Sequence, residues 1–266
     1  MKKMKKNILE RIAATKRIEV EALKKSVATE KMREAAGEVK RVALSLRDSV
    51  RDREVGIIAE HKRRSPSKGE IAPMSDVAYI AETYAMNGAA GMSVLTDTPY
   101  FGGSLTDLTV ARTTAPWLPI LRKEFIIDEF QLYQARIAGA DAVLLIASMI
   151  DADLLSRLNG EAHALGLQTL VEIHSAEELK SLPGDADLVG INNRDLTSFS
   201  TDISNSERFI KSLPAEMVKI AESGIKRPSD LRRLKEAGFD GFLIGEALMS
   251  APEPGVRLED FIAAGL

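Results

Sequence analysis

The sequence predicts an α/β chain whose strands close into one parallel barrel. Three observations carry this: eight short apolar runs after residue 55, amphipathic helical stretches between them, and a Gly-centred segment that recurs at the joins. The runs fall at 57–59, 92–95, 118–121, 142–146, 169–173, 188–191, 218–221 and 242–244. They are continuous rather than alternating, as strands are when both faces are covered. The repeating segments, NGAAGMSVL, AGADAVLLI, LGLQTLVEI and AGFDGFLIG, each run from a helix end through Gly into a strand. β-α units at intervals of roughly 20 to 35 residues, in a chain of 266 residues, point to a single (β/α)8 TIM barrel. An open doubly wound sheet would normally carry a Gly-rich loop after its first strand, where this chain has Ser65-Pro66-Ser67-Lys68-Gly69.

Residues 1 to about 50 form a charged N-terminal helical extension of that single domain, with Gly37 as their only Gly or Pro. Leu9, Ile12, Val20, Leu23 and Val27 recur at helical spacing, so this part is expected to pack on the barrel through one face. Ser75 is placed to cap a helix whose Val77, Ile80, Ala81 and Tyr84 share a face, ending at Asn87-Gly88. Ser175 and Glu178 have the spacing of a capping box ahead of Leu179 and Leu182. Arg227-Pro228-Ser229-Asp230 opens a helix carrying Leu231, Leu234 and Ala237, stopped at Gly238.

Thirty-six basic against thirty-nine acidic residues leave a net charge of -3, which gives no support for a nucleic-acid or membrane surface. Cysteine is absent, which excludes disulfides, thiolate nucleophiles and Cys-based zinc sites. The start, MKKMKKNILERIAA, has the charged opening of a signal peptide, but Glu10, Arg11 and Lys16 interrupt the apolar stretch that should follow. The expectation is a cytoplasmic protein, monomeric or weakly homo-oligomeric, with no membrane or nucleic-acid partner.

Barrels of this kind carry their chemistry at the carboxyl ends of the strands. The runs deliver Glu60 and Lys62 from the first, Thr96 and Asp97 from the second, and Lys123 then Phe125 from the third. The fourth ends in Ala147 and Ser148, the fifth in Glu172, the sixth in Asn192 and Arg194. The seventh delivers Glu222, Ser223 and Gly224, and the eighth Gly245 and Glu246. Lys62 and Lys123 could form a network with Glu60, Glu172 and Glu222 in the barrel mouth, either around a ligand or as a plug. The strand bottoms are expected to carry far fewer charges, which favours a ligand. Gly224 and Gly245 would admit an anion to backbone N–H groups. Phe101 and Phe125 could wall an aromatic group or simply pack under loops. His61, His163 and His174 lack metal-pair spacing, and His61 and His174 are expected to face away from the barrel axis.

Seven motifs, IIAEHKRRSPSKG, LTDTPYFGGS, LPILRKEFIID, LVEIHS, GINNRDL, AESGI and FLIGEALM, resemble those of indole-3-glycerol phosphate synthases, in that family's order. The resemblance covers nearly the whole chain, and the helical extension is a family feature. It implies a carboxy-lyase of tryptophan biosynthesis that takes 1-(2-carboxyphenylamino)-1-deoxyribulose 5-phosphate, a phosphorylated anthranilate, to indole-3-glycerol phosphate, carbon dioxide and water. No cofactor and no metal are implied. Lys123 matches the family's general acid for ring closure, Glu172 the acid/base of dehydration, and Lys62 a lysine on the substrate carboxylate and a second candidate acid, the division of work between the two lysines being left open by the sequence. Glu60 matches a carboxylate orienting the lysines, Asn192 and Arg194 positioning groups, and Glu222 a further carboxylate. Ser65, Ser223, Gly224, Leu243, Gly245 and Glu246 match the phosphate and substrate contacts; Phe101, Phe125, Leu144 and Leu196 match the pocket around the aromatic ring. Glu246 stands where some members carry a small hydroxyl residue, and is expected to turn its carboxylate outward. Other phosphate-binding barrels, a Schiff-base aldolase using Lys123 and an inactive scaffold are the competing readings.

Overall fold

A computed structural model describes residues 8–194 and 200–266. All eight expected strands form: β1 (Gly56–His61), β2 (Gly91–Leu95), β3 (Ile120–Lys123), β4 (Ala142–Ile146), β5 (Gln168–Ile173), β6 (Leu188–Asn192), β7 (Val218–Glu222) and β8 (Gly241–Ile244). They pair in parallel in chain order, and β1 closes the barrel on β8 with Ile57 beside Phe242. β3 starts two residues later than its apolar run. Pro119 has no N–H to give the ladder, and only its carbonyl takes part, accepting from Met92 N at 2.8 Å.

The recurring segment has a clear physical meaning. Gly88, Gly139, Gly166 and Gly238 all sit at positive φ, between 71° and 105°, and turn each helix end toward the next strand. In two of these joins, and again ahead of β6, an Asp follows that pins the preceding strand. Asp141 accepts from Ile120 N, Asp187 from Thr169 N and Asp240 from Lys219 N, each at 2.8 to 2.9 Å.

The strand bottoms are more charged than expected. Asp141 is fully buried between Arg112 and Arg41, and its carboxylate also accepts from Leu44 N at 2.8 Å. Those arginines come from a helix and from the extension, so the strand sequence gave no sign of them.

Two local expectations are corrected. Helix α4 (Val77–Met86) is capped by Asp76, which accepts from Ala78 N at 2.9 Å, while Ser75 Oγ meets His61 Nε2 at 2.9 Å instead. After β5 there is only a 3-10 turn, Glu178–Ser181, because Pro183 stops the segment before a helical face can develop. The Pro228–Ala237 helix forms as read.

The extension folds as α1 (Ile8–Ser26), α2 (Thr29–Glu38) and α3 (Leu46–Arg51). Leu46 and Val50 of α3 are fully buried and share a core with Ile58, Leu121, Leu170 and Ile220 inside the barrel. On α1, Leu9, Ile12 and Val20 are buried, but Leu23 and, just past the helix, Val27 are exposed; there Lys24 carries the contact by pairing with Asp128 at 2.8 Å. The main tie is ionic. Lys16, only 4% exposed, lies 2.8 Å from Asp97 and 3.1 Å from Glu124, at the ends of β2 and β3. Thr15 and Tyr100 add a hydroxyl pair at 2.8 Å. Among the described residues, no helix is long and apolar enough to cross a membrane.

Removing Lys16 leaves buried Asp97 without its cation and Glu124 with Arg122 alone. Lys16→Ala should therefore destabilise the protein by about 3 to 5 kcal/mol, read as a lower denaturant midpoint. An unchanged midpoint would show that the ionic tie contributes nothing net.

Candidate active site

A cavity of about 600 Å³ opens at the carboxyl ends of the strands. Glu60, Lys62, Lys123, Glu172, Asn192, Arg194 and Glu222 all line it. The period of two along a strand explains the pair on β1: Glu60 and Lys62 project inward, and His61 between them projects toward the helices. His61 is buried, and burial together with nearby Arg63 lowers its pKa to about 4, so it is neutral.

The charged groups form two sets. In one, Lys62 Nζ sits 2.6 Å from Glu60 Oε1. In the other, Lys123 Nζ sits 2.5 Å from Glu222 Oε2 and 3.2 Å from Glu172 Oε2, and Asn192 Nδ2 donates to Glu172 Oε1 at 2.9 Å. Lys123 comes from β3, Glu172 from β5 and Glu222 from β7, so the contacts cross the barrel axis. Close approach depends on Gly190 and Gly245: a Cβ at Gly190 would collide with the Glu222 carboxylate, and one at Gly245 with that of Glu60.

Burial alone would lower the Lys123 pKa, but Glu222 and Glu172 outweigh it and hold the ammonium well above its ordinary range. The two carboxylates diverge. Burial opposes charge on Glu172, yet Lys123 and His174 hold it well below the usual carboxylate range. Burial and the neighbouring Glu172 push Glu222 up to about 7 against the pull of Lys123. One carboxylate is thus ionised throughout the neutral range, and the other titrates within it.

At one end of the cavity the rings of Phe101 and Phe125 lie 5.8 Å apart, tilted by 39°, with Leu144 and Leu243 in the same wall. Ile8, Leu9 and Ile12 of α1 complete it, which the sequence reading missed. Their apolar spacing marked a packing face, with nothing to show that part of that face meets a cavity.

Ser65, Ser223, Gly224, Gly245 and Glu246 line the cavity as well. Ser223 and Gly224 have φ of 63° and 79°, and a non-Gly residue in that region is a strained feature typical of functional loops. Glu246 does not turn outward. Its carboxylate lines the cavity and pairs with Lys68 at 3.1 Å and Arg194 at 3.7 Å. Arg194 also donates to Ser67 Oγ, so the loop after β1 is tied across the opening. Ser67 and Lys68 were not anticipated as lining residues. Leu196 lies outside the described residues.

His174 follows the end of β5 and does not line the cavity. Its Nε2 lies 3.2 Å from Glu172 Oε1. Among the described residues, no group of three or more His, Asp or Glu is arranged to hold a metal ion.

The family model for indole-3-glycerol phosphate synthase matches residues 9–261. The chain belongs to the indole-3-glycerol phosphate synthase family. It is 48% identical to the indole-3-glycerol phosphate synthase of Bacteroides thetaiotaomicron over 97% of this chain and 99% of the relative. It is 44% identical to that of Carboxydothermus hydrogenoformans over 96% and 99%. The resemblance read from seven motifs therefore holds over nearly the full length. Solved structures share the fold at lower identity. Tryptophan synthase subunit alpha from Legionella pneumophila superposes with a TM-score of 0.62 at 14% identity, covering 84% of this chain and 98% of that one. Thiamine phosphate pyrophosphorylase from Pyrococcus furiosus gives 0.61 at 14%, covering 83% and 98%.

In this member of the indole-3-glycerol phosphate synthase family, Glu222 has a folded-state pKa above its ordinary 4.5. A raised pKa means the folded state binds the proton more tightly, so the stabilisation it brings is full below about 4.5 and lost as pH rises through about 7. Glu222→Gln cannot lose it. The stability of the wild type relative to Glu222→Gln should fall across that window in thermal unfolding at matched ionic strength. A pH-independent difference would contradict the raised pKa.

Proposed function

We propose that this chain closes the ring of 1-(2-carboxyphenylamino)-1-deoxyribulose 5-phosphate and releases carbon dioxide and water to give indole-3-glycerol phosphate, a carboxy-lyase step of tryptophan biosynthesis. Family membership over almost the whole chain supports the reaction. The observation that carries its assignment to this cavity is the convergence of two ammonium groups and three carboxylates between an aromatic wall and a Ser/Gly-rich rim.

The substrate carries a carboxylate, an aromatic ring and a phosphate. The ring fits against Phe101 and Phe125, and the phosphate fits the rim of Ser65, Ser223, Gly224 and Gly245, with Lys68 and Arg194 near enough to exchange Glu246 for it. Lys62 is the cation for the carboxylate, with Glu60 orienting it.

As the ring carbon attacks the ketone, negative charge develops on the carbonyl oxygen, and Lys123 donates a proton there. That proton is held by two carboxylates, which makes Lys123 a reluctant acid. Protonation of Glu222 weakens one of those holds, so Glu222 acts by tuning the lysine. Loss of carbon dioxide restores the aromatic ring. Glu172 then serves the dehydration, and Asn192 fixes its orientation. The same electrostatics disfavour a Schiff-base aldolase, whose lysine must be neutral to attack a carbonyl.

Purified protein given the ribulose phosphate should produce indole fluorescence. Lys123→Ala should lower turnover by at least about a hundredfold with the fold intact, and near-normal turnover would remove Lys123 from this role. Glu172→Gln should slow dehydration more than it weakens binding, so that a decarboxylated intermediate accumulates in single-turnover experiments. An unchanged rate with weakened binding would contradict that role.

A further inference from the structure

We infer that His174 is a positioning residue for Glu172: from outside the cavity it sits against one carboxylate oxygen and keeps Glu172 charged and oriented for its part in dehydration, with Glu178 beside its other ring nitrogen. The inference rests on the functional reading above.

The geometry is a carboxylate–imidazole–carboxylate line. Glu172 Oε2 faces Lys123, while Oε1 takes Asn192 at 2.9 Å and lies 3.2 Å from His174 Nε2. On the far side, His174 Nδ1 lies 3.8 Å from Glu178 Oε2. Glu178 is itself fixed, accepting from His174 N at 2.9 Å and from Ser175 Oγ at 3.3 Å. That bond is what the Ser175–Glu178 spacing builds here in place of a helix cap. Both ring nitrogens are buried, and they meet the carboxylates at ion-pair rather than hydrogen-bond geometry. His174 does not line the cavity, so it can act on the reaction only through Glu172.

The groups facing Glu172 are Lys123 from β3, Asn192 from β6, Glu222 from β7 and His174 itself; those facing His174 are Glu172 and Glu178. Burial works against a charge on His174, but the two carboxylates outweigh it and push its pKa up to about 10. The imidazole is a cation at neutral pH, next to an ionised Glu172.

Dehydration needs one proton delivered to the departing hydroxyl and one removed from the neighbouring carbon of the new five-membered ring. An ionised carboxylate can do only the second. The first falls to Lys123, whose proton is restored from water after ring closure. Lys123 gives it to the hydroxyl, which leaves as water, and Glu172 takes the proton from the ring carbon and returns it to Lys123, 3.2 Å away. His174 keeps Glu172 charged and aimed for that step, and no other reactant is consumed.

The test uses the full chain with His174→Ala and His174→Asn, the latter keeping an N–H donor that cannot titrate. His174→Ala should lower kcat at least about tenfold with KM within about twofold. Its acidic limb of kcat should move to higher pH, because Glu172 loses a neighbouring positive charge. His174→Asn should recover part of kcat but leave the limb displaced. Independently of activity, ring-carbon NMR of the wild type, which has only three histidines, should show His174 still protonated at pH 8 and titrating lower in Glu172→Gln. A folded His174→Ala enzyme with the wild-type limb, or a His174 signal titrating at the ordinary histidine value, would overturn the inference. Absence of indole-3-glycerol phosphate from the wild type would instead sink the functional reading, and the NMR titration would still judge the pair.

Discussion

The Lys123 ammonium, held between the carboxylates of Glu172 and Glu222, is the interaction on which the rest of the site depends. Three alternate strands, β3, β5 and β7, supply it, so it exists only when the barrel is closed and its register correct. A shift of one residue in β5 would send Glu172 outward and bring Ile173 to the axis. The network also explains why Gly190 on β6 and Gly245 just after β8 stand at those levels, since the carboxylates occupy the space a side chain would need. Buried charges of this kind are poor sources of net stability. Their arrangement is better understood as readiness for an anionic substrate whose charge completes the set.

The extension and the loop after β1 complete the enclosure from two sides. α1 reaches the cavity with Ile8, Leu9 and Ile12 and is anchored one turn further on by Lys16. Anchor and wall share one helix, so loss of the ionic tie would also displace apolar contacts around the substrate ring. Across the opening, Glu246 gathers Lys68 and Arg194 where a phosphate would otherwise meet them. The two cations neutralise its carboxylate there.

Much of this was legible before any coordinates. Strands covered on both faces read as unbroken apolar runs, and the Gly turns recur at each join, so the architecture was plain. The period of two placed Glu60 and Lys62 inward and His61 outward. What could not be read depended on partners distant in sequence. Lys16 resembled any helix lysine until Asp97 and Glu124 appeared beside it, and Asp141 drew its cations from segments that are not strands. Ser75 and Asp76 are adjacent and both able to cap, and only the pull of His61 on Ser75 separates them.

The most direct measurement is a crystal structure of the chain with a substrate analogue whose ketone is reduced to an alcohol, so that the ring cannot close. Lys123 Nζ should lie about 3 Å from the alcohol oxygen, with the aromatic ring against Phe101 and Phe125 and the phosphate at Ser223, Gly224 and Gly245. An analogue bound with Lys123 still engaged by both carboxylates, and out of hydrogen-bond reach of that oxygen, would contradict the role given to the central lysine.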